Sequence, residues 1–206
     1  GMCRENLLKL VLEIAKSLYD KRFDHGLPHV ERVLAWARRI TSEEKLSIPS
    51  TLLEIAVFLH DVGRYIGEPH AYYSALVAEE LLMEAECAST FIEEVSSAIL
   101  SHSYSFSKSH QARTDLAKVI SDADKLDALG VVGFLRVFIF GERNERTLEQ
   151  SLIHFHEKIL KLPELMYFDY SRKVSALLAE RTRLLLTMLL EELNPEKLLA
   201  SSRYNK

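Results

Sequence analysis

The sequence predicts an all-α protein, a single-domain helical bundle, and three observations carry that prediction. Apolar residues recur at three- and four-residue spacing along almost the whole chain, the period of an amphipathic helix. Turn-forming residues are scarce: 7 glycines and 5 prolines in 206 residues are too few for the closely spaced turns of an all-β sandwich. Only Val119-Ile120 and the run from Val137 to Phe140 read at all like strands, and both are short. A chain of 206 residues also has enough material for its own core, so neither a disulfide nor a metal is needed to hold it folded.

The elements follow in order. Leu7, Leu8, Val11, Leu12, Ile14, Ala15 and Leu18 form the apolar face of a first helix. Pro28 suits the first turn of a second, which carries Val30, Val33, Leu34, Ala37 and Ile40. Capping-box spacing marks three further starts: Thr51 with Glu54, Thr90 with Glu93, and Thr147 with Gln150. The helix that opens near Ser50 is expected to close at Gly63, because glycine takes the left-handed C-cap conformation without strain. Further helices are expected at about 70–86, 90–102, 112–129, 146–160 and 171–193, with a frayed tail over residues 201–206.

Composition excludes several function classes. With 48% apolar and 27% charged residues the chain is not a disordered one. A net charge of −4 argues against a binder of long nucleic acid, while leaving room for a small anion in a local cationic pocket. The most apolar late stretch, Leu184 to Leu190, falls far short of the roughly 20 residues a membrane span needs. Cys3 and Cys87 show neither metal-type spacing nor a disulfide framework. The opening Gly1-Met2-Cys3-Arg4-Glu5 carries no apolar signal region, and Gly1 reads as a tag scar, so the expected location is a reducing cytoplasm.

The placement of histidines and aspartates is the informative part. His60 and Asp61 are adjacent near the end of the third expected helix, where two side chains of different length can converge on one ion. Imidazole plus carboxylate suits Mn, Fe, Zn or Ni more than Ca. His29 opens the second helix, His102 closes the fifth, and an acidic run from Ser121 to Gly130 holds Asp122, Asp124 and Asp127.

In this order the segments resemble the HD-domain superfamily of metal-dependent phosphohydrolases, whose signature is H…HD…D, and in particular its uncharacterised predicted-hydrolase branch. The turn His102-Ser103-Tyr104, the run Asp122-Ala123-Asp124-Lys125-Leu126-Asp127-Ala128 and the later His154-Phe155-His156-Glu157-Lys158 extend the likeness over about residues 24 to 190. The resemblance implies an HD-type core over about 24–133 with C-terminal helices of about 146–193 packed on it. It also implies a metal held by His29, His60, Asp61 and one aspartate of the acidic run. On a helix Asp122 and Asp124 point about 200° apart and cannot share an ion. The family's closing aspartate follows an alanine and precedes a cation-Leu pair, which favours Asp124 over Asp122. Asp122 and Asp127 are then expected behind the first ring of contacts, with Asp127 orienting a ligand or Lys125. His70 and His102 stand where two-metal members of the superfamily place two more histidines, and contact with substrate is the other role open to them. His25, His110, His154 and His156 have weaker claims, with His154 and Lys158 read as a solvated face.

The chemistry implied is hydrolysis by a metal-activated water, with Asp61 bridging or orienting and Arg64 and Lys125 supplying positive charge to a phosphate. The cofactor is a divalent ion (Mn, Fe, Ni, Co, Zn or Mg). One ion is favoured over two because a lone loop histidine at position 70 is a poor anchor. The substrate is a small phosphate ester, a nucleotide or a relative of one, and a homodimer through the apolar late helices stays open. Two alternatives stand beside this reading: a di-iron HD-type oxygenase, which uses the same six residues with redox-active iron, and a catalytically silent metal-binding regulatory domain.

Overall fold

The structure, a computed structural model, describes residues 1–103 and 111–198. Tyr104, His110 and the tail over 201–206 lie outside the described residues. Among those described, every regular element is helical and no strand occurs. Helices α1 (Glu5–Ser17), α2 (Leu27–Glu43) and α3 (Ser50–Leu59) come first, followed by a 3-10 turn at Val62–Tyr65. Helices α4 (His70–Glu84), α5 (Ser89–His102) and α6 (Asp115–Leu126) complete the middle of the bundle. Then come α7 (Gly130–Arg143), α8 (Leu148–Glu157), a second 3-10 turn at Ile159–Leu165, the long α9 (Asp169–Leu193) and the short α10 (Pro195–Leu198).

The layering follows from which faces are apolar. Helix α3 buries Leu52, Leu53 and every residue from Ile55 to Leu59, so it is enclosed and sits at the centre. Helix α6 packs between α2 and α5, and its Leu116, Val119, Ile120, Ala123 and Leu126 join that core. Helix α9 closes the C-terminal side against α7, and Phe134, Phe138 and Phe155 stack there at centroid distances of 4.9 to 5.7 Å.

Several local expectations are corrected. Both strand-like runs are helical: Val119-Ile120 lies within α6, and Val137 to Phe140 lies within α7, a helix that the sequence reading lacked. A short apolar run reads alike as strand or helix, because periodicity over a few residues does not separate the two. Of the three capping boxes only Thr147 with Gln150 forms. The helices near Thr51 and Thr90 begin at Ser50 and Ser89, which puts both threonines inside the helix, where a side chain cannot cap. Thr114 is a cap that was missed, its Oγ1 accepting from the Ala117 N–H at 3.1 Å.

Gly63 does not close α3 either; it lies in the following 3-10 turn. Its role is close approach, since a Cβ there would fall 2.3 Å from the backbone nitrogen of Ser74 in α4. Gly130, with φ of 71°, takes the left-handed conformation at the start of α7, where the chain turns from α6. Cys3 and Cys87 are joined as a disulfide, contrary to expectation. The cause is a pairing across 84 residues: Arg4 N–H donates to the Ala85 carbonyl at 3.0 Å and Ala88 N–H to the Met2 carbonyl at 2.6 Å. Among the described residues no helix is long and apolar enough to cross a membrane.

Candidate metal centre

Five helix ends meet at one point. His29 is in the first turn of α2, His60 caps the end of α3 with Asp61 next to it, His70 is the first residue of α4, His102 the last of α5, and Asp124 lies in the last turn of α6. A helix C-terminus leaves carbonyls without an intrahelical partner, and two of the histidines use them. His60 Nδ1–H donates to the Val57 carbonyl at 2.6 Å and His102 Nδ1–H to the Ile99 carbonyl. His29 Nδ1–H donates to Asp127 Oδ2 at 2.6 Å. In all three rings Nδ1 carries the proton, so Nε2 presents a bare lone pair to the cluster.

The facing atoms are close. His29 Nε2 and His60 Nε2 lie 3.2 and 3.4 Å from Asp124 Oδ1, and His29 Nε2 lies 3.9 Å from Asp61 Oδ2. Asp61 Oδ1 is 3.7 Å from His70 Nε2 and 4.0 Å from His102 Nε2. Three ligand groupings result: His29, His60 and Asp61; His60, His102 and Asp124; Asp61, His70 and His102. The Nε2 atoms of His29, His60 and His102, together with Asp61 Oδ1, are buried without a hydrogen-bond partner among the described residues. Buried polar atoms left unpaired are expensive, and four converging on one point fit a bound cation.

The electrostatics agree. Burial pushes the Asp61 carboxyl up, but the Arg64 charge and the surrounding histidines outweigh it and hold the group well below the carboxylate range. Burial likewise opposes ionisation of Asp124, yet its contacts with His29 and His60 hold it well below that range. Burial lowers His102 to about 3, keeping it a neutral donor atom. His60 is raised, because Asp124 and Asp61 overcome its burial. A proton and a metal ion therefore compete for the same Nε2.

The supporting contacts separate the aspartates. Asp127 holds His29 and also accepts from Arg32 Nε at 2.7 Å, with Arg136 Nη1 3.4 Å away. Lys125 donates instead to Ser121 Oγ at 2.6 Å. Asp122 does not reach the cluster, which corrects the expectation that it backs the site. Its carboxylate accepts from the backbone N–H groups of Tyr167 and Phe168 at 2.9 and 3.1 Å and so fixes the start of α9. His70 is not the lone loop residue expected: it begins α4 and its side chain is 15% exposed. The stated ground for preferring one ion therefore fails.

The cluster opens into a cavity of about 340 Å³ whose other walls come from α7, α8 and the turn after α8. His154 and Lys158, expected on a solvated face, line it, together with Arg64 and Lys125. His25, given only a weak claim, lines it as well, as do Arg136 and Arg146, which had no signal in the sequence. Arg136 donates to the Asp24 and Asp127 carbonyls at 2.7 and 3.0 Å and lies 3.2 Å from His25 Nδ1, locking the segment before α2 onto α7.

The chain is similar to known proteins across this region. A family model described as HD domain matches residues 26–129, which hold all six residues of the cluster and Asp127. The uncharacterized protein YpgQ of Bacillus subtilis is 28% identical over 165 residues, 77% of this chain and 79% of that protein. A crystal structure of YpgQ in complex with ADP aligns with a TM-score of 0.72 at 23% identity, covering 93% of this chain and 97% of that one. A predicted HD superfamily hydrolase from an uncultured Thermotogales bacterium aligns with a TM-score of 0.62 at 27% identity, over 90% and 92% of the two chains.

Proposed function

The chain belongs to the HD-domain family, and from that premise we propose that it is a metal-dependent phosphohydrolase acting on a phosphate ester of a nucleotide or a related small molecule. The observation that carries this reading is the convergence of four buried, unpartnered ligand atoms from His29, His60, Asp61 and His102 at the end of a cavity. His29, His60, Asp61 and Asp124 would hold the ion, and a donor set of imidazoles and carboxylates suits a divalent transition metal. Bound there, such an ion lowers the pKa of water and neutralises phosphoryl oxygens.

The chain's own residues do the rest. Asp127 fixes the His29 ring so that Nε2 faces the cluster. Arg64 Nε donates to Asp61 Oδ2 at 2.6 Å, which keeps that carboxylate ionised and aimed, and its guanidinium lines the cavity where a phosphoryl group would sit. Lys125, held by Ser121, adds a second fixed positive charge on the same wall. Charges already in place need no rearrangement as negative charge develops. The neighbours support the substrate class: YpgQ has been crystallised with ADP, and the Thermotogales protein is described as a hydrolase.

A second reading draws on Asp61, which is shared by two of the three ligand groupings, so the six residues also suit two ions. With two irons this becomes the oxygenase arrangement, and metal analysis with Mössbauer spectroscopy on protein purified without added metal separates the two. The test of the main reading is a hydrolysis screen over nucleotides and general phosphatase substrates with Mn, Mg, Ni, Co and Fe supplied separately, run beside Asp61→Asn. Metal-dependent phosphate release by the parent alone is expected. Release that survives in a folded Asp61→Asn protein sinks the reading, and no release with any metal favours the silent regulatory domain.

A further inference from the structure

The backbone of His60 and Asp61 stands where helical bonding breaks off. Helix α3 ends at Leu59, Asp61 has φ of −128° and ψ of 8°, and the 3-10 turn opens at Val62. Past a helix end, the last carbonyls and the next N–H groups must find partners elsewhere. His60 uses the Val57 carbonyl twice, through its own N–H at 3.2 Å and its ring Nδ1–H at 2.6 Å. The Phe58 carbonyl and the Asp61 N–H both turn to one atom outside the helix. The Tyr19 hydroxyl donates to the Phe58 carbonyl at 2.7 Å and accepts from the Asp61 N–H at 3.3 Å. A second hydroxyl works on the far side of the turn, where Gly63 N–H donates to Ser74 Oγ of α4 at 2.8 Å.

Tyr19 is itself firmly placed. It follows α1 directly and precedes the segment that matches the family model. Its N–H donates to the Lys16 carbonyl at 3.4 Å, which prolongs the last turn of α1, and its ring packs against the core. Lys16 lies over the Phe58 ring at 5.2 Å, a second contact between the end of α1 and the end of α3. On the other side of Tyr19 the link to α2 is closed. The Asp20 carbonyl accepts from Leu27 N–H at 2.8 Å, its carboxylate accepts from Arg22 N–H at 2.9 Å, and a Cβ at Gly26 would collide with Asp20. The far end of α1 is tied to the α4–α5 connection by the Cys3–Cys87 bond. The hydroxyl is therefore delivered by backbone that is fixed before and after it.

Asp61 is the residue for which a small rotation matters most. It belongs to two of the three ligand groupings, with Oδ2 facing His29 and Oδ1 facing His70 and His102. Arg64 fixes one of those oxygens, but the direction of the side chain starts at the Asp61 peptide. We infer that Tyr19 is a positioning residue of the metal centre: by bridging the Phe58 carbonyl and the Asp61 N–H, its hydroxyl sets the direction in which Asp61 presents its two oxygens. A phenol suits this task because it donates and accepts at once and titrates at about 10, so the proton is in place at neutral pH. It also adds no charge beside a carboxylate that Arg64 already balances. A phenylalanine would fill the same space and leave both backbone groups without this partner.

This role rests on the metal-centre part of the proposed function, and its test needs no turnover. Mn²⁺ is titrated calorimetrically into the metal-free full chain, parent beside Tyr19→Phe, with the fold checked by circular dichroism. Loss of a contact that orients a ligand should weaken Mn²⁺ about tenfold. Leu186→Ala, a truncation on the buried face of α9, lowers stability through packing and should leave Mn²⁺ affinity unchanged. With Co²⁺ bound instead, the visible absorption of Tyr19→Phe should depart from that of the parent, while Leu186→Ala matches it. Equal affinity and equal spectra in parent and Tyr19→Phe overturn the inference, as does an equal loss in Tyr19→Phe and Leu186→Ala. The parent supplies a further readout that needs no variant: in hydrogen exchange of the metal-free protein the Asp61 amide should be protected, and exchange at the rate of a free peptide overturns the contact. A parent that binds no divalent ion would bring down the metal-centre reading and this role together, whereas a parent that binds Mn²⁺ no better than Tyr19→Phe brings down this role alone.

Discussion

Replacing Asp127 by asparagine tests whether the metal centre depends on what stands behind it. The carboxylate is 2% exposed and serves three cations or donors at once: His29 Nδ1 at 2.6 Å, Arg32 Nε and Nη2 at 2.7 and 3.1 Å, and Arg136 Nη1 at 3.4 Å. Burial works to raise its pKa, but the His29 and Arg32 bonds and the Arg136 charge hold it below the ordinary value, so it is ionised throughout the working range. Removing one partner from a buried ion network costs roughly 3–5 kcal/mol. For a chain of this length each kcal/mol is worth about 2–4 °C, so the melting temperature of the metal-free protein should fall by about 10 °C or more. The amide oxygen can still accept from His29, so metal affinity should drop only about tenfold in Asp127→Asn and closer to a hundredfold in Asp127→Ala. Calorimetric titration with Mn²⁺ and differential scanning calorimetry read the two effects separately. A folded Asp127→Ala protein with unchanged metal affinity would refute the claim that this residue orients His29.

Three other outcomes follow from the structure. Metal stoichiometry on His70→Ala and His102→Ala beside the parent should show each variant losing one equivalent if the two groupings around Asp61 hold separate ions; a parent with one equivalent that both variants keep excludes the second ion. Gly63→Ala should lower stability by roughly 2 kcal/mol or more in denaturant titration, because its Cβ would sit 2.3 Å from Ser74 N, whereas the ordinary loss at a helix cap is about 1 kcal/mol. Acid should unfold the metal-free protein from about pH 6.5 downward: burial lowers His25 to about 2, His102 to about 3 and His154 to about 4, so the unfolded chain takes up protons that the folded one refuses. His60, raised, opposes this with stability present at low pH, and the depressed Asp61, Asp124 and Asp127 add a further loss below about pH 4. A pH-independent melting temperature between 7 and 4.5 would contradict that balance.

The ordered histidines and aspartates were legible in the sequence because each sits at a helix end, where a short motif records both the local structure and the chemistry. Helix geometry parted Asp122 from Asp124 and the family resemblance favoured Asp124, and the two side chains do part: one enters the cluster and the other holds the backbone leading into α9. What could not be read is what spans the chain. Asp127 meets His29 across 98 residues, Asp24 meets Arg143 across 119, and Cys3 meets Cys87 across 84. No periodicity encodes such pairings. Helix α7 escaped for a different reason, since apolar residues such as Val131, Leu135 and Ile139 lie on its exposed side as well as facing the bundle, which blurs the stripe that marks a surface helix.

The centre and the wall opposite it are built from different parts of the chain, and that division has a consequence for selectivity. The six clustered residues come from the stretch α2 to α6, and three of them, His29, His60 and His102, are fixed by bonds to Asp127 and to backbone carbonyls within that stretch. The cations facing them come from the α7–α8 connection and the end of α8, elements joined to the core chiefly through α7 and the following turn. Substitutions at 146, 154 or 158 therefore alter the cavity wall without touching the candidate ligand atoms of the cluster. Arg136 is the exception. It bonds at once to the segment before α2, to the end of α6 and to His25, and so ties the cavity wall to Asp127, the residue that holds His29.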